Sequence, residues 1–164
     1  MQALDPKELE LVGGIVARLK GRPGPLIEVL HEVQDRLGCI PPGAVAPIAE
    51  GLNLSRAEVH GVVSFYHYFR EHPVGRHVVE VCRAEACQSM NSQALVEHVK
   101  RRLGVDFHGT TADGRVTLLP VYCLGNCACA PAVMIDGELH GRMSPRRFDQ
   151  LAGEMGLGDG VPGK

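Results

Sequence analysis

Four of the six cysteines in this 164-residue chain fall into two close pairs, and this constrains the fold more than any other feature. Val81-Cys82-Arg83-Ala84-Glu85-Ala86-Cys87 carries the first pair with a four-residue gap. After about thirty-five residues, Val121-Tyr122-Cys123-Leu124-Gly125-Asn126-Cys127-Ala128-Cys129-Ala130-Pro131 carries the second with a three-residue gap. Each pair follows an apolar run that reads as a strand, so the two loops are expected side by side at one end of a sheet. Four thiols in that arrangement suggest a metal site with four sulfur ligands.

Thiolates suit zinc or an iron–sulfur cluster, and four of them complete the shell of either. Spacing alone does not choose. Zinc sites allow two to four residues between paired ligands, and plant-type ferredoxins also use a four-residue gap. Cluster, zinc and unligated thiols all stay open at this level. An oxidised [2Fe–2S] unit with four thiolates carries a formal charge of about −2 by ligand counting. It therefore calls for N–H donors and nearby positive charge. Gly125 permits backbone angles that turn amides inward, and Arg83, beside Cys82, can offset charge and adjust a potential. Cys39 reads as a small buried hydrophobe. Cys129 can in principle replace Cys127, but its loop position reads as a bystander to the site.

The remaining composition is that of a globular chain, 45% hydrophobic and 22% charged. Net charge is −2 and the longest basic run is Lys100-Arg101-Arg102, which argues against nucleic-acid binding or direct membrane contact through bulk charge. No apolar run is long enough to span a bilayer, and the first residues lack the basic start and apolar core of a signal peptide. A cytoplasmic location with reduced thiols is expected.

Asp5-Pro6-Lys7-Glu8 combines a cap, a first-turn proline and a capping box, predicting a helix along Leu9, Val12, Val16 and Leu19. A second helix carries Leu26, Val29, Leu30, Val33 and Leu37 and stops at Gly38. A third runs from about Ala44 to Leu52. A fourth opens at the capping box Ser55 to Glu58 and continues into Phe65-Tyr66-His67-Tyr68-Phe69. From residue 77 the period changes. Strands are expected over His77–Val81, Val105–Thr111, Arg115–Val121, Ala132–Ile135 and Glu138–Gly141, with hairpin turns at Asp113-Gly114 and Asp136-Gly137. A helix capped by Ser89 or Ser92 carries Leu95, Val96, Val99 and Leu103, and a last helix starts at Ser144-Pro145. The fold class is therefore α/β: a bundle of short helices over residues 1–72, then a thioredoxin-like α/β domain over 73–155, then a flexible tail over 156–164.

Rival functions find little support. Residues 49–59 have the cadence of a helix-turn-helix, but the second helix offers Arg56, Glu58 and His60 and then valines, a poor set for base edges and phosphates. The C-x-x-C of a thiol–disulfide oxidoreductase is missing. So are paired metal-binding histidines, a hydrolase signature and a G-x-G-x-x-G nucleotide loop, so any NAD must be bound by another chain.

At the two cysteine loops the sequence resembles the thioredoxin-like [2Fe–2S] ferredoxins, which include the NuoE-type subunit of respiratory NADH dehydrogenase. The similarity extends to Gly38-Cys39-Ile40-Pro41 and to Glu58-Val59-His60-Gly61-Val62-Val63-Ser64-Phe65-Tyr66, and covers residues from about 10 to 152. Within the family, residues 81–90 and Cys127-Ala128-Cys129 look most like the gamma subunit of NAD-dependent, molybdenum-containing formate dehydrogenase. Met90-Asn91, where many respiratory members have glycine, and the extra thiol of Cys129 depart from the respiratory pattern. The resemblance implies one [2Fe–2S] cluster per chain, held by Cys82, Cys87, Cys123 and Cys127 and served by Gly125 and Arg83. It implies no catalytic residue or substrate site on this chain. FMN and NAD are expected on a partner flavoprotein subunit, itself joined to a large molybdenum subunit. The corresponding subunit of respiratory NADH:quinone oxidoreductase or an NAD-linked hydrogenase is the alternative, and a structural zinc module is the alternative of another class.

Overall fold

The computed structural model describes residues 4–157, and the chain divides into two compact units, Met1–Pro73 and Val74–Lys164. In the first unit, α1 spans Pro6–Leu19 and opens with the expected capping box. The Glu8 N–H donates to Asp5 Oδ1 at 2.8 Å, and the Asp5 N–H donates to Glu8 Oε2 at 2.9 Å. Helix α2 (Leu26–Leu37) ends where Gly38 turns left-handed at φ 78°, a conformation that costs glycine nothing. A 3₁₀ turn over Pro42–Ala44 leads into α3 (Val45–Leu52), and α4 covers Arg56–Phe65. The apolar stripes meet in one core, with Val12, Val29, Leu30, Val33, Ile48 and Val59 fully buried.

Ser55 caps α4 through its hydroxyl, which accepts from the Glu58 N–H, while the Glu58 carboxylate accepts from the Ser55 N–H at 2.7 Å. The Ser55 N–H first, and then the Ser55 hydroxyl donating to Glu58 Oε2 at 2.8 Å, hold the Glu58 carboxyl below its ordinary range. Ser55→Ala is expected to lower stability by about 1 kcal/mol, read as a lower urea midpoint at unchanged slope.

Helix α4 is shorter than the sequence implies, because Tyr66 leaves the helix at ψ 102°. The buried Gln34 fixes the path beyond it. Gln34 Nε2 donates to the Tyr68 carbonyl at 2.9 Å, and Gln34 Oε1 accepts from the Arg70 N–H at 2.8 Å. One amide thus replaces the helical partners of residues 68–70. Phe69 is buried, while Phe65, Tyr66 and Tyr68 stay exposed.

The second unit is built on a four-stranded sheet in the order β2-β1-β3-β4. Strand β1 (His77–Cys82) pairs in parallel with β2 (Val116–Val121) and antiparallel with β3 (Val133–Ile135), which forms a hairpin with β4 (Glu138–His140). Cross-strand partners share a face, so Val79, Leu118 and Ile135 line one side. Against this face pack α6 (Ser92–Leu103), through Leu95, Val96 and Val99, and α7 (Pro145–Glu154), through Phe148 and Ala152.

Three expectations change here. Residues 105–111 form no regular strand: Thr110 bridges Thr117, the His108 and Thr111 N–H groups donate to the Leu118 and Val116 carbonyls, and the Gly109 carbonyl accepts from the Leu118 N–H. His108 turns left-handed at φ 64°, and the Asp113-Gly114 turn is present with Gly114 at φ 70°. Helix α6 is preceded by left-handed Asn91 rather than capped by a serine: Ser92 is its first residue and is buried. The expected tail starts too early, since Gly156 and Leu157 are described and Leu157 is fully buried in the core. The rest of that tail, residues 158–164, lies outside the described residues.

Candidate metal centre

Parallel pairing of β1 and β2 places Cys82 level with Val121, so both cysteine loops leave the same end of the sheet, as the strand pattern implies. The Arg83 N–H donates to the Val121 carbonyl at 2.8 Å, and the Cys82 N–H donates to the Ala132 carbonyl at 3.1 Å. These bonds tie the first loop to the second and to the start of β3.

The first loop holds a short helix that the sequence does not advertise, α5 (Glu85–Ser89), with Cys87 inside it. Cys82 and Cys87 are both buried and pack with Ala130 and Ala132. In the second loop Cys123 and Cys127 are exposed, and their sulfurs stand 3.8 Å apart. A 3₁₀ turn spans Cys127–Cys129. Cys123 has φ 141°, a conformation an L residue adopts only when its surroundings impose it. Gly125, at φ 74°, donates its N–H to Cys123 Sγ at 3.3 Å. A loop amide therefore aims at a sulfur, which is the role this glycine's freedom makes possible.

The thiols act on one another. Burial pushes the Cys87 thiol up, with the hydrogen bond to Cys82 adding to it and the Ala132 N–H pulling the other way. The Cys127 thiol is raised by its hydrogen bond to Cys123 and by that neighbour's charge, and it also feels Cys82. Among the described residues, no three of His, Cys, Asp or Glu converge closely enough to grip one ion. The four sulfurs thus stand as two mutually influencing pairs. Two thiol pairs on loops at one end of the sheet, with an N–H donor already on one sulfur, are a donor set that could hold a [2Fe–2S] unit.

Arg83 goes elsewhere than toward a carboxylate: its guanidinium carbon lies 5.3 Å from the centre of the Phe107 ring. Cys39 is buried in the helical unit, where burial first and then the nearby Glu8 charge raise its thiol, opposed by Arg70. Cys129 contributes backbone to the loop's bracing, its carbonyl accepting from the Arg142 N–H at 2.5 Å.

That bracing includes a residue with no sequence signal, Gly141. A Cβ there would fall 2.7 Å from Cys129 Cβ, 2.7 Å from Asn126 Nδ2 and 2.9 Å from the Cys129 carbonyl oxygen. The backbone just beyond β4 is pressed against the cysteine loop, and the Met143 N–H secures it by donating to the Pro131 carbonyl at 2.9 Å.

The family described as thioredoxin-like [2Fe-2S] ferredoxin matches residues 12–156. The E subunit of the NADH-quinone oxidoreductase of Pseudomonas aeruginosa is 44% identical over 73% of this chain and 72% of its own. Its Escherichia coli counterpart is 38% identical over 76% of this chain and 75% of its own. The HndA subunit of the NADP-reducing hydrogenase of Solidesulfovibrio fructosivorans is 32% identical over 85% and 81%. Among solved structures, a NAD+-reducing [NiFe]-hydrogenase in the H2-reduced state shares the fold, with a TM-score of 0.68 at 24% identity. The match covers 84% of this chain and 22% of that one. The chain belongs to the thioredoxin-like [2Fe–2S] ferredoxin family.

Proposed function

We propose that this protein is the electron-transfer subunit of an NAD-linked oxidoreductase, carrying one [2Fe–2S] cluster on Cys82, Cys87, Cys123 and Cys127. The observation that carries the reading is the emergence of both thiol pairs from one end of the parallel strands β1 and β2. Such a cluster supplies one-electron storage beside a flavin that handles two-electron hydride chemistry. This chain's own residues position the sulfurs: strand register sets the distance between the loops, and the Gly125 N–H stabilises negative charge on Cys123. Residues 73–155 hold the cluster, while the helical domain, residues 1–72, with its exposed Phe65, Tyr66 and Tyr68, docks a partner flavoprotein bearing FMN and NAD. The working location is the cytoplasm. Among the described residues no helix is long and apolar enough to cross a membrane.

The finer assignment is the gamma subunit of a molybdenum-containing, NAD-dependent formate dehydrogenase. It rests on residues 81–90 and on Cys127-Ala128-Cys129. The 44% identity to the Pseudomonas aeruginosa NADH-quinone oxidoreductase protein favours the respiratory alternative. Isolating the tagged chain with its native partners decides between them. Formate-dependent NAD reduction and bound molybdenum support the first, and NADH:quinone activity without molybdenum supports the second.

A further inference from the structure

We infer that Phe107 is a positioning residue for the redox site: it holds the Arg83 guanidinium, and through that charge sets the potential of the centre. The inference rests on the [2Fe–2S] reading above. Arg83 is the first residue after Cys82 and is half-buried at the root of the first thiol loop. Two cations meet the Phe107 ring, Arg83 at 5.3 Å and Lys100 at 4.8 Å from its centre. They differ in what neutralises them. Lys100 Nζ pairs with Asp106 Oδ1 at 2.8 Å, whereas among the described residues no carboxylate lies within ion-pair distance of Arg83.

A carboxylate partner would fix the guanidinium but cancel its charge. An aromatic face fixes it through the ring quadrupole and leaves the charge intact. The Arg83 backbone is pinned as well, since its N–H donates to Val121 at 2.8 Å and its carbonyl accepts from Gln88 Nε2 at 2.7 Å. Phe107 itself is half-buried and packs against the core of the second unit. The result is a positive charge held on an aromatic face by the residue that directly follows Cys82. Reduction adds one negative charge to the centre, so a fixed cation nearby favours the reduced form.

The test is the midpoint potential of cluster-loaded protein, followed by visible circular dichroism or EPR, with iron content checked for each variant. Arg83→Gln is expected to lower the potential, reducing the equilibrium constant for reduction by up to about tenfold, which is about 59 mV for one electron. Phe107→Leu is expected to lower it by a smaller step at unchanged iron content, and Phe107→Tyr to restore it. In the double variant Arg83→Gln/Phe107→Leu the potential is expected to match Arg83→Gln alone, because the ring acts through the guanidinium. An Arg83→Gln potential equal to wild type overturns the proposal, even if Phe107→Leu were to lose its iron. A Phe107→Leu shift that persists on the Arg83→Gln background overturns the positioning role. Wild-type protein without two irons per chain instead overturns the underlying reading.

Discussion

Cys82→Ala is expected to produce protein that folds but loses the cluster spectrum, with iron falling from about two per chain toward zero. Cys82 ends β1 level with Val121, and its thiol acts on both Cys87 and Cys127. With the proposed ligand set, removing it would leave Cys87 packed against Ala130 and Ala132, which offer no replacement ligand. The expected control is Cys39→Ala. Cys39 is buried in the other compact unit, so its loss costs about 1 kcal/mol of packing and leaves the visible spectrum intact. A wild-type spectrum in Cys82→Ala would exclude this cysteine as a ligand.

Gly141→Ala is expected to shorten the lifetime of the loaded centre although residue 141 is no ligand. The added methyl would sit 2.7 Å from Cys129 Cβ and 2.9 Å from the Cys129 carbonyl oxygen, and neither atom belongs to a flexible side-chain end. The segment cannot slide away, because the Arg142 and Met143 N–H groups hold it to Cys129 and Pro131. The loop carrying Cys127 must give instead. Overpacking of this kind costs about 1–3 kcal/mol. Most of that falls on the loop, so cluster loss on dilution into chelator is expected to speed up about tenfold or more. Gly13→Ala, within α1 where a Cβ meets nothing within 4 Å, should leave the lifetime unchanged and stabilise the fold slightly. Equal lifetimes for Gly141→Ala and wild type would show that the brace does not govern the centre.

What the sequence made legible was local chemistry. Asp5 with Glu8 and Ser55 with Glu58 are capping boxes written within four residues, and both form as read. Gly38 ends its helix in a left-handed conformation for the same local reason. The two cysteine loops could be placed at one sheet end because each follows a strand, and the parallel register of β1 and β2 puts them there. The losses were tertiary. Nothing near Tyr66 announces that a glutamine thirty-odd residues earlier will pull the chain out of α4. Val105–Thr111 has strand composition, but residues 108–111 bond to β2 without forming a regular strand, and the left-handed turn at His108 is one that no spacing rule shows. Gly141 and Phe107 are silent for the same reason: one matters through a backbone approach from another loop, the other through cations on two other segments.

The central claim is most directly tested on anaerobically purified protein by counting iron and zinc and recording low-temperature EPR after reduction. The account predicts about two irons per chain, negligible zinc and the signal of a reduced [2Fe–2S] centre. A colourless protein with one zinc per chain and no EPR signal would contradict it and make the four cysteines a structural metal site.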